Sequence, residues 1–255
     1  MKSLLLVILF LVLAIVIAGV IALAVTNLGV DRTATKNHLV SGTLREVVVK
    51  PGRGDVQFVP AGKLVRVSET QHYLIEKPEL ALTRANGVLT IEPKCDDYPD
   101  VVVCFSDLRI TVPPGVKVTV DGGKGDVDMR AVDVRGVHVE TGSGDIELGV
   151  IGRPGLLWAH SDSGDVELVA ASARAVDVRS SSGDVQADVG AKPRRVLARS
   201  DDGDIELALP RGIYAIKTKA SDPDDVQVRG LSRNAASSSS IDVRTDSGDI
   251  DVRPR

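Results

Sequence analysis

From Val40 onward apolar and polar residues alternate, as in Val116-Lys117-Val118-Thr119-Val120 and Val176-Asp177-Val178. A period of two marks a β-strand, whose successive side chains point to opposite faces. No window in this stretch carries a helical period, so the pattern predicts an all-β domain. The N-terminus is different. Leu4 to Val25 is a run of 22 residues without a charge, interrupted only by Gly19. A bilayer core needs roughly 20 apolar residues as a helix, so this run predicts one N-terminal transmembrane helix.

A longer period lies over the alternation. A Gly-Asp-Val/Ile triplet recurs with its Asp at 126, 145, 165, 184, 204 and 249, and Asp225 in Asp224-Asp225-Val226 keeps the beat without Gly. Successive spacings are 19, 20, 19, 20, 21 and 24 residues. A period near 20 predicts a β-solenoid or β-helix-like stack, in which each rung buries its apolar edge on its neighbours.

Before each triplet, apolar or small residues hold every second position, ending in Thr141, Ser161, Ser180, Ser200 and Thr245. After it the alternation resumes one residue out of phase, as at Ile146-Leu148 and Val166-Leu168. A phase slip implies a corner, because a straight strand would turn every later side chain to the wrong face. The expected structural-turn residues are Gly125, Asp126, Gly144, Asp145, Gly164, Asp165, Gly183, Asp184, Gly203, Asp204, Gly248 and Asp249. Gly would supply a positive φ, and Asp would accept backbone N–H groups. The Ser/Thr column would bond up the stack.

Residues 41–120 read as an irregular β leader that caps the stack. Gly54-Asp55-Val56 is an isolated early triplet, and Asn86-Gly87 is a hairpin signal between Leu80-Ala81-Leu82 and Leu89-Thr90-Ile91. The expected layout is therefore residues 1–25 as anchor, 26–40 as stalk, 41–120 as leader and 121–255 as repetitive β-solenoid. The chain would end on a charged, Pro-containing edge at Asp249–Arg255.

Ala22-Leu23-Ala24 leaves a cleaved signal peptide open, but the apolar run exceeds the roughly 7–15 residues usual there. Lys2 on one side and Arg32 and Lys36 on the other nearly tie the positive-inside rule. Cys95 and Cys104 are the only two cysteines. An exported domain would join them in one disulfide, and a cytosolic one would leave two thiols. The first reading fits the anchor: a single-pass protein with its C-terminal domain extracytoplasmic and the lipid bilayer as partner through residues 4–25.

Composition narrows the function. With 31 basic and 35 acidic residues the net charge is −4, which gives no basic face for nucleic acid. Stacked Asp residues about 4.8 Å apart repel and need relief from backbone N–H groups, splaying, interleaved Arg or bound cations. Second carboxylates at Asp162, Asp201 and Asp246 leave Ca²⁺ as the minority reading. No metal site or cofactor is expected. His38, His72, His138 and His160 share no ligand spacing. No nucleophile elbow or phosphate loop occurs, so no catalytic residue is assigned. Trp158 is expected to pack on the stack.

Leu108-Arg109-Ile110-Thr111-Val112-Pro113-Pro114-Gly115-Val116, followed by recurring Ser-Gly-Asp-Val/Ile, resembles the bacterial and archaeal "putative adhesin" family of β-repeat domains. The resemblance covers roughly residues 45–255, and Asp224-Asp225-Val226 departs from it by lacking Gly. It implies a cell-envelope protein with an export signal and no established catalytic residues. The expected function is a non-enzymatic, membrane-anchored extracytoplasmic protein presenting an interaction surface to an envelope protein or the cell wall. The alternatives are a polysaccharide-acting β-helix enzyme and an envelope-stress or signalling partner.

Overall fold

The computed structural model describes residues 32–62, 64–95 and 103–255. Within them the alternation becomes strands throughout. In chain order these are β1 (Arg32–Val40), β2 (Glu46–Val49), β3 (Val56–Pro60), β4 (Val65–Tyr73), β5 (Glu79–Ala85), β6 (Val88–Lys94), β7 (Cys104–Val112) and β8 (Val116–Asp121). Then come β9 (Val127–Val132), β10 (Val134–Thr141), β11 (Ile146–Val150), β12 (Leu156–Ser161), β13 (Val166–Ala170), β14 (Ala175–Ser180) and β15 (Val185–Val189). The last are β16 (Arg195–Ser200), β17 (Ile205–Leu209), β18 (Ile213–Lys219), β19 (Val226–Val228), β20 (Ser232–Arg233), β21 (Ser240–Thr245) and β22 (Ile250–Pro254). The one helical element among the described residues is a 3-10 turn at Pro223–Asp225.

The strands form two sheets of eleven. The first runs β1-β4-β7-β3-β9-β11-β13-β15-β17-β22-β19, and the second β20-β18-β21-β16-β14-β12-β10-β8-β2-β6-β5. Each repeat runs one strand in the second sheet, turns at Gly-Asp, and runs one strand in the first. Neighbouring repeats pair in parallel and in register. Leu157, Ala159 and Ser161 lie beside Val137, Val139 and Thr141 on one side and beside Val176, Val178 and Ser180 on the other. The product is a solenoid-like stack of nine two-strand rungs.

The inner faces of the sheets form one core of Val, Ile, Leu and Ala, filled at intervals by Phe58, Met129 and Tyr214. The second sheet ends in the antiparallel β5–β6 hairpin, where Asn86 and Gly87 take φ of 51° and 75°. That pair suits a turn needing positive φ at both central residues.

The structure departs from the expected layout in three places. Arg32–Val40, expected as stalk, is the edge strand β1, antiparallel to β4 from Arg32↔Tyr73 to Val40↔Val65. The leader is no separate cap: β2/β3 and β6/β7 are full rungs, and β2/β3 lies between β6/β7 and β8/β9. The C-terminal strand β22 is no edge, because it is flanked by β17 and β19. The last rung in the chain thus inserts beneath the one before it, and β18, β19 and β20 form the far end. The expected helix over Leu4–Val25 lies outside the described residues. Among those described, no helix is long and apolar enough to cross a membrane.

The corner glycines are also needed for a different reason than expected. Of the triplet glycines only Gly248 has a positive φ, 141°. At Gly54, Gly125, Gly144, Gly164, Gly183, Gly203 and Gly248 an added Cβ would fall within 3.0 Å of the carbonyl oxygen of the rung beneath. Here Gly permits close approach of stacked backbones. The Gly164→Ala variant is expected to lose about 3 kcal/mol or more, since the obstacle is backbone and cannot swing away. Gly155→Ala, whose nearest obstacle is 4.0 Å away, should stay within about 1 kcal/mol of the parent. Chemical denaturation midpoints of the two variants measure the difference.

Candidate interaction surface

The Gly-Asp corners set the spacing of everything outward of them. At each corner the Asp backbone N–H donates to the carboxylate Oδ1 of the Asp one rung below. The file runs Asp107, Asp55, Asp126, Asp145, Asp165, Asp184, Asp204, Asp249, with N···O distances of 2.7–3.0 Å. The corner Asp residues of Gly-Asp sequence remain solvent-exposed. Repulsion along the file is therefore relieved by backbone dipoles on one oxygen and by water on the outward side. Asp225 stands apart, in the 3-10 turn rather than the file. Burial, with Asp222, Asp249 and Asp224 adding to it, pushes its carboxyl above the usual range.

The hydroxyl column lies just inside. The Ser161, Ser180 and Ser200 hydroxyls donate to the carbonyls of Gly144, Gly164 and Gly183 at 2.8–2.9 Å. Ser161 and Ser180 also accept from the N–H groups of Gly164 and Gly183 at 2.8 Å. Thr141 and Thr245 hold the same position, and Thr245 donates to Gly203 at 2.9 Å. Ser161 and Ser180 thus each satisfy buried polar groups of two rungs.

One member of the file, Asp107, does not belong to a Gly-Asp triplet. Ser106-Asp107-Leu108 sits within the continuous strand β7 at the Gly-Asp-Val position of the stack, with Ser in place of Gly. Leu108 pairs with Val56, and Asp107 receives Asp55. Below it stand the antiparallel β4 and its buried Glu69, which accepts from the Ser106 hydroxyl at 2.8 Å. Asp107 Oδ2 lies 3.0 Å from His72 Nε2. Cys95 and Cys104 are joined by a disulfide, with Cα atoms 6.1 Å apart, which ties the end of β6 to the start of β7.

Outside the corners the stack presents two faces. On the first sheet, Gln57, Asp128, Glu147, Glu167, Gln186, Glu206 and Asp251 line up in register. An open groove of about 570 Å³ lies over its early rungs, between Asp107, Asp126, Asp128, Arg109, Arg130 and Glu147. Arg130 bonds Asp128 at 3.0 Å and Glu147 at 2.6 Å. On the second sheet, the His138 and Trp158 rings stack with centroids 4.0 Å apart, and His160 meets Trp158 at 6.0 Å. Trp158 thus packs along the stack. Further up the same face, Arg179, Arg199, Arg244 and Lys219 share one column. The histidines are dispersed, with His38 beside Glu69 and His72 beside Asp107. Among the described residues no group of three or more His, Cys, Asp or Glu is placed to hold a metal ion.

Residues 116–253, more than half of the chain, match the Toastrack DUF4097 family. The chain belongs to that family. Its structural neighbours include a "putative adhesin" of Bacteroides fragilis, 13% identical, with TM-score 0.46 over 88% of this chain and 97% of that one. A "putative cell adhesion protein" of Clostridium sporogenes is 11% identical, with TM-score 0.39 over 88% and 100%. A "putative lipid binding protein" of Parabacteroides distasonis is 13% identical, with TM-score 0.46 over 87% and 97%. No curated protein matches the chain. Likenesses at this level carry no function to this Toastrack chain.

The second-sheet face also holds the clearest proton-linked group of this Toastrack domain. Burial, with Lys117 adding to it, pushes the His138 imidazole below the usual histidine range. The fold therefore prefers neutral His138. As pH falls below about 6.5 the unfolded chain takes the proton first, and stability is lost until the folded imidazole itself titrates. His138→Gln should flatten that part of the melting-temperature profile, as thermal unfolding between about pH 7.5 and 5.5 would show. At the corners, Ser180→Ala should cost about 2–4 kcal/mol, because it strands the Gly183 N–H and the Gly164 carbonyl. Ser180→Thr should recover most of that loss, and urea unfolding of the pair reads the difference.

Proposed function

We propose that this Toastrack chain is a non-enzymatic, membrane-anchored protein that holds its β stack outside the membrane as an interaction surface. The observation that carries this reading is the register. Parallel pairing brings like side chains into columns along two broad outward faces, which repeat one chemical motif many times. A surface of that kind suits an extended partner.

Two further facts support the extracytoplasmic placement. The disulfide between Cys95 and Cys104 belongs to an oxidising compartment. The uncharged run Leu4–Val25 is long enough to span a bilayer as a helix. Only residues 26–31 separate that run from β1, a reach of at most about 20 Å fully extended. An anchor there would keep the β1 end of the stack close to the bilayer and point the other end away.

The groove over the first sheet is the feature that favours a polysaccharide-acting enzyme instead. Its carboxylates are engaged, however. Asp126 accepts the Asp145 N–H, Asp128 bonds Arg130 and Gln57, and Glu147 bonds Arg130. Carboxylates so engaged are poorly placed to reach a glycosidic oxygen, as the acid of glycoside hydrolysis must.

The test is topology. Membrane pellets washed with alkaline carbonate should retain the chain. A protease added to intact cells lacking outer barriers should remove the stack. Cys95 and Cys104 should resist maleimide until reduced. Recovery in the soluble fraction with two free thiols would overturn the reading, as would release of reducing sugar from an envelope glycan by the purified chain.

A further inference from the structure

The column of cations on the second sheet has one irregular member. Arg179 is held by Asp177 through two bonds, at 2.8 and 2.9 Å. Arg244 is held by Asp242 in the same way, at 2.7 and 2.9 Å. In both, the acid stands two residues before the arginine on the same strand face. Arg199 lies between them in register. At its corresponding position stands Leu197, flanked by Asp177 and Asp242 and only 2% exposed. The Arg199 Nε is buried and has no hydrogen-bond partner. Asp242, committed to Arg244, feels the Arg199 charge only through the field.

A buried guanidinium nitrogen without an acceptor carries a desolvation cost. Three neighbouring arginines and Lys219 in one file, about 4.8 Å apart from rung to rung, add mutual repulsion. Asp177 offsets Arg179, Asp242 offsets Arg244, and Asp246 lies 3.5 Å from Lys219. An external oxyanion beside the Arg199 guanidinium would lower that repulsion where Leu197 leaves it unrelieved. Guanidinium takes carboxylate or phosphate through paired N–H donors, which is the geometry Asp177 and Asp242 already show internally.

We propose that the Arg179–Arg199–Arg244–Lys219 file is a binding site for a linear polyanion bearing repeated oxyanions, with Arg199 as its central anchor. The file runs across strands, along the stack axis, so the ligand would lie lengthwise over the rungs. Lys217 and Arg195 flank it on the same face. The inference rests on the surface-presenting function above and names its ligand class. If the anchor holds the β1 end near the bilayer, the file occupies the sixth to ninth rungs, its near edge roughly 24 Å above the first rung. That height favours an extended envelope polymer over lipid headgroups.

The file is also a product of the non-sequential rung order. Arg244 of β21 reaches Arg199 of β16 because β21 inserts between β16 and β18. In sequence order, Lys219 would have stood in its place.

The test uses the full chain in neutral detergent micelles, with linear polyphosphate and polygalacturonate as probes and fluorescence polarisation as readout. Binding to one or both is expected, weakening as salt rises with a log–log slope of about 3. The phosphate and carboxylate arms tell which oxyanion the file prefers. Leu197→Asp would give Arg199 the partner its neighbours have. It should weaken binding about tenfold and reduce the salt slope by about one. Arg199→Gln should do the same, so misfolding of either variant alone leaves the test intact. Glu167→Gln, on the opposite face, should bind as the parent does. The proposal is overturned if neither polymer binds, if both second-sheet variants bind like the parent, or if monomeric glycerophosphoglycerol competes equally per phosphate. Any of these results would leave the topology experiment, and the presenting function, standing.

Discussion

Close vertical contact between successive Gly-Asp corners is the constraint on which the rest of this Toastrack domain depends. The backbone of one rung sits so near that of the rung beneath that a Cβ at the Gly position would collide with a carbonyl oxygen. That approach lets each Asp N–H reach the carboxylate below, and lets each Ser or Thr hydroxyl reach a Gly carbonyl. Once the corner is fixed, the two strands leaving it have no freedom of register. Slippage by one residue would bring polar side chains into the core and break both files of bonds together. Every column on the outward faces inherits its alignment from this contact.

The corner also shows how the molecule tolerates a line of like charges. An exposed carboxylate in water repels its neighbour only weakly, and each here accepts one backbone N–H at close to ideal distance. A hydrogen bond to a charged acceptor is worth about 1.5–3 kcal/mol, more than the residual repulsion between exposed neighbours. The Asp file is thus net cohesive without a cation. The arginine file on the second sheet follows the opposite arrangement. Its charges are relieved by side-chain partners two residues away, and the relief fails where Leu197 replaces an acid.

Much of this was legible in the sequence because repetition writes it many times over. The period, the phase slip and the Ser/Thr column each follow from residues that recur at fixed offsets, and the Asn86-Gly87 hairpin follows from its own turn chemistry. The rung order was not legible. A period states how long a rung is but not which neighbour it stacks on, so the placement of β2/β3 between β6/β7 and β8/β9 left no trace in the pattern. Ser106-Asp107-Leu108 was hidden for a physical reason. Beneath Ser106 lies antiparallel β4 rather than another Gly-Asp corner, so a side chain fits there and the Gly signal is lost. Glu69 and Gln71, fully buried on β4, likewise contradict the expectation that inward positions are apolar. They face the Ser106 hydroxyl and the Pro78 carbonyl instead of a packed rung.

The insertion of the last rung beneath the preceding one has a consequence for how the stack ends. A solenoid whose final coil were also its final rung would leave a full-length strand pair open to pairing by another chain. Here the regular rung β21/β22 is covered on both sides. The exposed end is made by β19, three residues long, by β20, two residues long, and by β18, which carries Lys217 and Lys219. Short and charged edges are poor templates for strand addition. At the opposite end the antiparallel β1 and the β5–β6 hairpin close the sheets, which interrupts the parallel register that another stack could extend. With short, charged strands at one end and antiparallel strands at the other, parallel continuation of the stack is disfavoured, and its repetitive surfaces are the two long faces, where the columns run.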